Sequence, residues 1–365
     1  MEIEEAARPT WMEVDLGALA HNVRALRSLM GPKKKIIAAL KADAYGHGIG
    51  PVARRLASCG VHSLATGSFK DARAIREAGV ELPILMFAGP LPEAMSFLLE
   101  HDLTLTVHDR ISAHGVSRAA SKPTGVYVKV DSGLGRLGVP LAEAFEFIQY
   151  VGGLKHLLVE GVYTHLSFHD AAGREWARER YAAFDTLLEQ LEAEGIDIPV
   201  TQALASAALL AGLESRANAV CPGSLLYGMS PVPKSIAIRA DLQPVVSGIK
   251  SRLIQIGEPG ESQRIGVIPI GLADGYRSLP ASTSAHALLG GRRVAIRGVS
   301  LEYISLDLSG HEDARVGDEV VLLGRSGDEE IVLADIARWQ DAAPHEVVMG
   351  FEGRLRARYL DDPAL

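Results

Sequence analysis

The sequence predicts an α/β fold, a (β/α)8 TIM barrel followed by a mainly β C-terminal domain. Across about the first 240 residues, short apolar runs alternate with amphipathic stretches of helical period. After about Asp241 the rhythm changes to short strand-like runs between Gly, Pro, Asp and Ser turns. The 365 residues, 47% of them hydrophobic, are enough for two cores. The expected division is a barrel over residues 1–240 and a β-rich domain over 241–365.

Eight barrel strands are expected: Ile36–Leu40, Ser63–Thr66, Ile84–Phe87, Thr104–Val107, Val126–Val130, Leu157–Thr164, Val200–Leu204 and Ala219–Cys221. Several are near-continuous apolar runs, as strands covered on both faces are. Among the helices between them, Gly173–Glu194 is the clearest. There Tyr181, Phe184, Leu188 and Leu191 recur at helical spacing, with Glu and Arg on the other face. Gly195 stands at its C-terminal cap, with Pro199 just beyond. A doubly wound open sheet shares this alternation, and strand count alone does not separate the two. In the second domain the runs Val245–Ile256, Arg264–Pro269, Ala287–Leu289, Arg293–Gly298 and Glu319–Leu323 lie between turns such as Glu258-Pro259-Gly260 and Ser326-Gly327-Asp328.

Lys+Arg 37 against Asp+Glu 45 leaves a net charge of −8, which argues against a polyanion-binding surface, so no nucleic-acid partner is expected. No apolar run approaches the roughly 18 residues of a membrane span. The opening MEIEEAARPT is acidic and lacks the apolar core of a secretory signal, so a cytoplasmic protein is expected. Cys59 and Cys221 define no disulfide framework, and no Cys/His cluster has metal-ligand spacing.

Four segments have the residue types of a catalytic site. Lys41-Ala42-Asp43-Ala44-Tyr45-Gly46-His47-Gly48 follows the first barrel strand. A lysine at the C-terminal end of a barrel strand faces the mouth, where dry surroundings depress its pKa and free the amine for a Schiff base. A solvated loop lysine is the plainer reading. The second segment, residues 129–138, places Lys129 on a strand and Arg136 in a glycine-rich loop suited to gripping a carboxylate. Third, Tyr163-Thr164-His165 closes a strand with an imidazole that could flank a planar ring or shuttle a proton, although strand-end histidines are commonly structural. Fourth, Ser206 and Cys221-Pro222-Gly223-Ser224 end the last two strands, where such barrels cradle phosphate on backbone N–H groups and small hydroxyls. Lysine nucleophile, carboxylate-binding arginine and phosphate cradle at one mouth suggest a pyridoxal phosphate enzyme acting on an amino acid.

These segments, together with Thr10-Trp11-Met12-Glu13-Val14-Asp15-Leu16, His21-Asn22 and Pro269-Ile270-Gly271-Leu272-Ala273-Asp274-Gly275-Tyr276, resemble the alanine racemase family over almost the whole chain. The resemblance implies a head-to-tail homodimer with shared active sites. It also implies pyridoxal 5'-phosphate held by Lys41 as an aldimine, with Lys41 the base on the face used by a D-enantiomer. Tyr45, Ser206, Gly223 and Ser224 would bind the phosphate, and His165 would flank the ring. Arg136 would position cofactor and substrate carboxylate, braced by Lys129, a position often carbamylated in the family.

The departures fall on the chemistry. Leu272 stands where the family has the second catalytic base, a tyrosine donated by the partner subunit. Cys221 stands where the family has an arginine facing the pyridine nitrogen, and Asp43 where asparagine is usual. Ser300-Leu301-Glu302 aligns with the family's cysteine–methionine–aspartate run near the site entrance, and His286 aligns with a further tyrosine of the entrance. Two-base racemisation needs a base on each face of the carbanion. The expectation is thus an enzyme acting at the α-carbon of a small amino acid with altered chemistry: one-base proton exchange, transamination, decarboxylation or aldol-type cleavage. Racemisation with His286 as substitute base, or a non-catalytic cofactor- or amino-acid-binding homologue, are the alternatives.

Overall fold

The computed structural model describes residues 7–87, 89–257, 264–280 and 282–361. The turn expected at Glu258-Pro259-Gly260 and the first six residues lie outside the described residues. The described residues fall into two compact units, those within 18–44 and 49–243, and those within 7–17, 45–48 and 244–361.

The first unit is a closed parallel barrel. Its strands are β2 (Lys35–Ala39), β3 (Ser63–Thr66), β4 (Ile84–Met86), β5 (Thr104–Val107), β6 (Thr124–Asp131), β7 (Leu157–Tyr163), β8 (Val200–Ala205) and β9 (Ala219–Cys221). Neighbours pair in chain order, and β9 returns to β2 through Ala219↔Lys35. That return pairing excludes the open sheet. Strands and helices alternate as read from the sequence, and the long helix spans Ala171–Ala193. Gly195 follows it at φ +72°, the left-handed conformation glycine adopts without strain.

The barrel interior is packed by Ile37, Ala39, Ala65, Leu85, Tyr127, Tyr163, Val200, Ala219 and Cys221. Gly161 on β7 is part of that packing, because a Cβ there would meet the Tyr127 ring at 2.5 Å.

The second unit is built on an extended sheet. Strand β1 (Thr10–Asp15) joins it, antiparallel to β10 (Val246–Arg252) and parallel to the last strand, Arg356–Leu360. Thr10 and Ser251 share a buried 2.8 Å hydrogen bond, and the Arg358 guanidinium lies 3.9 Å over the Trp11 ring. Sequence rhythm missed β1, whose six residues are separated from the rest of their sheet by the whole barrel. The run expected over Val245–Ile256 breaks after Arg252. The strands expected from Ala287 and Arg293 begin one residue earlier, at His286 and Arg292. Two helices, Leu333–Trp339 and Pro344–Gly350, are additions to the β-rich expectation. Among the described residues, no helix is long and apolar enough to cross a membrane.

Gly161→Val should overpack the interior against Tyr127 and cost about 1–3 kcal/mol. The expected readout is a lower urea midpoint for the barrel's unfolding than in the unsubstituted chain.

Candidate active site

All eight barrel strands run the same way, so their C-terminal ends share one mouth. Lys41 arrives two residues after β2. From Ala42 to Gly46 the backbone makes a left-handed helical turn, with φ of +50°, +49°, +55°, +57° and +78°. For non-glycine residues this conformation costs roughly 1–2 kcal/mol each, so the surroundings must hold it. One tether is Asp43, whose Oδ1 accepts a 2.7 Å hydrogen bond from the Ile49 N–H at the start of the helix Ile49–Ser58. Burial raises the Asp43 carboxyl. Tyr45, the expected phosphate ligand, lies in the same left-handed turn.

Burial lowers the Lys41 amine; the nearby Cys221 works against that and the Arg136 charge adds to it. Lys129 on β6 is 5% exposed. Desolvation, and then the Arg136 charge, bring its amine down to about 8 against the pull of Asp131. Its Nζ donates to the Arg136 main-chain oxygen at 2.8 Å. The Asp131 carboxylate accepts from the Gly133 and Gly135 N–H groups at 2.9 and 3.0 Å, and Thr164 Oγ1 donates to the buried Ser132 Oγ at 2.9 Å. The loop bearing Arg136 is thereby fastened to the ends of β6 and β7. His165 follows β7, and burial together with the charges of Arg136, Lys41 and Lys129 holds it down to about 4, a neutral ring at physiological pH.

The last two strands meet at Ser206, a buried residue whose Oγ accepts from Gly223 N–H at 2.9 Å and Leu225 N–H at 3.4 Å. With Ser224 this makes a small-residue cradle, and Tyr227 Oη ties it to β2 by donating to the Ala39 oxygen at 3.2 Å. Cys221 ends β9, and burial pushes its thiol up to about 12, so it is neutral.

Below the mouth lie polar groups that motif reasoning passed over. Thr106 Oγ1 donates to the Met86 oxygen at 2.7 Å and meets Tyr163 Oη at 3.1 Å. Gln202 is 2% exposed, and its Nε2 has no hydrogen-bond partner among the described residues. A buried donor left unpaired costs about 1–3 kcal/mol. The sequence held a signal for it: a glutamine at an alternate position of the apolar strand Val200–Ala205.

Comparisons with known proteins agree with this architecture. The family model "Alanine racemase, N-terminal domain" matches residues 14–231, and "Alanine racemase, C-terminal domain" matches residues 258–359. An alanine racemase of Halothermothrix orenii is 35% identical over 370 residues, covering 96% of this chain and 97% of that protein. One of Methanococcus maripaludis is 31% identical, covering 97% and 99%. The chain belongs to the alanine racemase family. Among solved structures, alanine racemase of Clostridium difficile 630 in complex with cycloserine superposes with a TM-score of 0.87 at 28% identity, covering 96% of this chain and 95% of that one. Alanine racemase from E. faecalis gives 0.87 at 27%, covering 97% and 99%.

The remaining expected site residues of this alanine racemase family member lie in the second unit. Leu272 and Leu301 come together on two cross-linked loops. The Leu272 N–H donates to the Ser300 oxygen at 3.0 Å and the Ala273 N–H to the Leu301 oxygen at 2.7 Å. Asp274 anchors the first loop through the Gly271 N–H at 2.8 Å and Arg8 at 2.7 Å. Both leucine side chains are exposed, 40% for Leu272 and 66% for Leu301. His286 lies apart from these two loops in sequence, on the strand His286–Leu289, where its ring faces Trp339 at 6.3 Å.

Pyridoxal phosphate, which the family implies, fits the barrel's donor set. The mouth holds a lysine amine of lowered pKa, glycine backbone and small hydroxyls for a phosphate, a guanidinium for a carboxylate, and an orphaned buried donor beneath them.

His165 also links the mouth to pH. In the unfolded chain it takes up a proton below its ordinary 6.5; in the folded chain it does so only near 4. The unfolded state therefore binds more protons in that window, and stability falls as pH drops from 6.5 to about 4. His165→Gln should flatten this dependence, measured as urea midpoints across the window.

Proposed function

We propose that this chain is a pyridoxal phosphate enzyme acting at the α-carbon of a small amino acid, with Lys41 as its base and without two-base racemisation. The observation that carries the reading is the mouth itself. The Arg136 charge helps lower the Lys41 and Lys129 amines, and Arg136, Lys41 and Lys129 together help hold His165 neutral, while Cys221 beside Lys41 is neutral. Such a mouth calls for anions, and a phosphate ester with an amino-acid carboxylate supplies them.

When bound, the cofactor provides an electron sink conjugated to the α-carbon. Ser206 and Ser224 would offer the phosphate their hydroxyls, with Gly223 leaving room for it between them. Lys41, its amine pKa lowered by burial, is the residue that would hold the cofactor and, beside a bound substrate, would take the α-hydrogen as a proton. Arg136, fastened by Lys129 through its own carbonyl, holds the substrate carboxylate and so fixes which face of the α-carbon Lys41 meets. The neutral His165 adds a flat uncharged flank. Lys129 at about 8 retains a neutral fraction, the form that reacts with carbon dioxide to a carbamate.

Leu272 has no group that exchanges a proton, so the opposite face lacks the family's base. A D-amino acid then exchanges its α-hydrogen at Lys41 without becoming the L-form. In D₂O, D-alanine should lose its α-hydrogen signal by proton NMR while its optical purity is kept, and Lys41→Ala should abolish both exchange and the cofactor's visible absorbance. Rapid formation of L-alanine by the unaltered chain would overturn the one-base reading, and a colourless protein after incubation with the cofactor would overturn the cofactor assignment. Leu272→Tyr is expected to raise interconversion of the enantiomers about a hundredfold or more, the scale on which a positioned acid–base group acts.

A further inference from the structure

Strand β8 has Val200, Gln202 and Leu204 at alternate positions, and Val200 belongs to the barrel's interior core. Side chains alternate along a strand, so Gln202 faces the same interior. Its lateral neighbours agree, for it pairs in register with Tyr163 on β7 and Ala219 on β9, both members of that core. Cys221 follows Ala219 by two residues, past a register shift that sets it opposite Ala205 on β8, so it lies about 7 Å nearer the mouth along β9, a gap that a glutamine side chain and one water can span. Gln202 is 2% exposed and its Nε2 is an orphaned donor among the described residues. Thr106, Tyr163 and Gln202 at this depth, and Cys221 above them, are all neutral groups.

We infer that Gln202 donates the hydrogen bond to the ring nitrogen of the bound cofactor, its Nε2–H reaching past the short Cys221 side chain directly or through one bridging water. The inference rests on the cofactor reading proposed above, in which Cys221 takes the position that faces that nitrogen. It accounts for two departures at once. The arginine's place is taken by a thiol too short to reach and too buried to ionise, and the orphaned amide on the neighbouring strand finds its acceptor. An amide donor hydrogen-bonds the nitrogen's lone pair without delivering a proton, so the ring stays an unprotonated pyridine, a weaker electron sink than a pyridinium. Gln202 is thus a cofactor-binding residue that tunes the ring's electronics.

The test loads the full chain with pyridoxal phosphate carrying ¹⁵N in the ring and reads two quantities, the ¹⁵N shift and the cofactor's dissociation constant. The unaltered chain should show an unprotonated, hydrogen-bonded nitrogen. Gln202→Leu should move the resonance toward a pyridine without a hydrogen bond and weaken cofactor binding about tenfold, the equivalent of one lost hydrogen bond. Gln202→Met reads the same quantities if leucine packs poorly, and Gln202→Glu should move the resonance toward the protonated range. A shift and dissociation constant unchanged in both apolar variants, or a protonated ring in the unaltered chain, would overturn the inference while leaving the cofactor reading intact. No Lys41-dependent visible absorbance in the unaltered chain would instead sink the cofactor reading, and this inference with it.

Discussion

The constraint on which the site depends is the crowding of basic groups at one barrel mouth. Moving a cation out of water costs several kcal/mol unless an anion meets it. Here the closed ring of parallel strands delivers Lys41, Lys129 and His165 to one end, with Arg136 on the loop that follows Lys129. Their lowered pKa values are the direct expression of that cost. An anionic ligand would relieve it, so binding free energy and fold stability draw on the same interaction.

Rigidity around the mouth follows from the same need. A left-handed turn over Ala42 to Gly46 is unfavourable in an isolated peptide, and sparsely populated backbone held in place by its surroundings clusters at functional sites. The Asp43 tether and the seams joining the strand ends keep the basic groups from relaxing apart. In the second unit, Asp274 and the paired backbones of residues 272–273 and 300–301 make a comparably stiff platform, but one that displays leucines rather than ionisable groups.

Much of this was legible in the sequence, because apolar runs of four to eight residues flanked by amphipathic helices leave a parallel barrel few alternatives. Motif residues at strand ends were legible for a related reason: such ends converge whatever the helices do. What escaped was non-local or conformational. Strand β1 gains its meaning from partners more than 200 positions away. The left-handed turn is written in Ala42, Asp43, Ala44 and Tyr45, none of which announces a positive φ as glycine does. Gln202 was passed over because one polar residue at an alternate position of an apolar strand names no chemistry, and the register with Tyr163 and Ala219 shows that it faces the core.

On this reading the Lys41 amine is where the cofactor attaches. Borohydride reduction of the protein incubated with pyridoxal phosphate, followed by peptide mapping, tests it most directly. The expected result is a stable pyridoxyl adduct on the peptide containing Lys41, formed at stoichiometric cofactor. An adduct distributed over surface lysines, or concentrated on Lys129 with Lys41 unmodified, would contradict it.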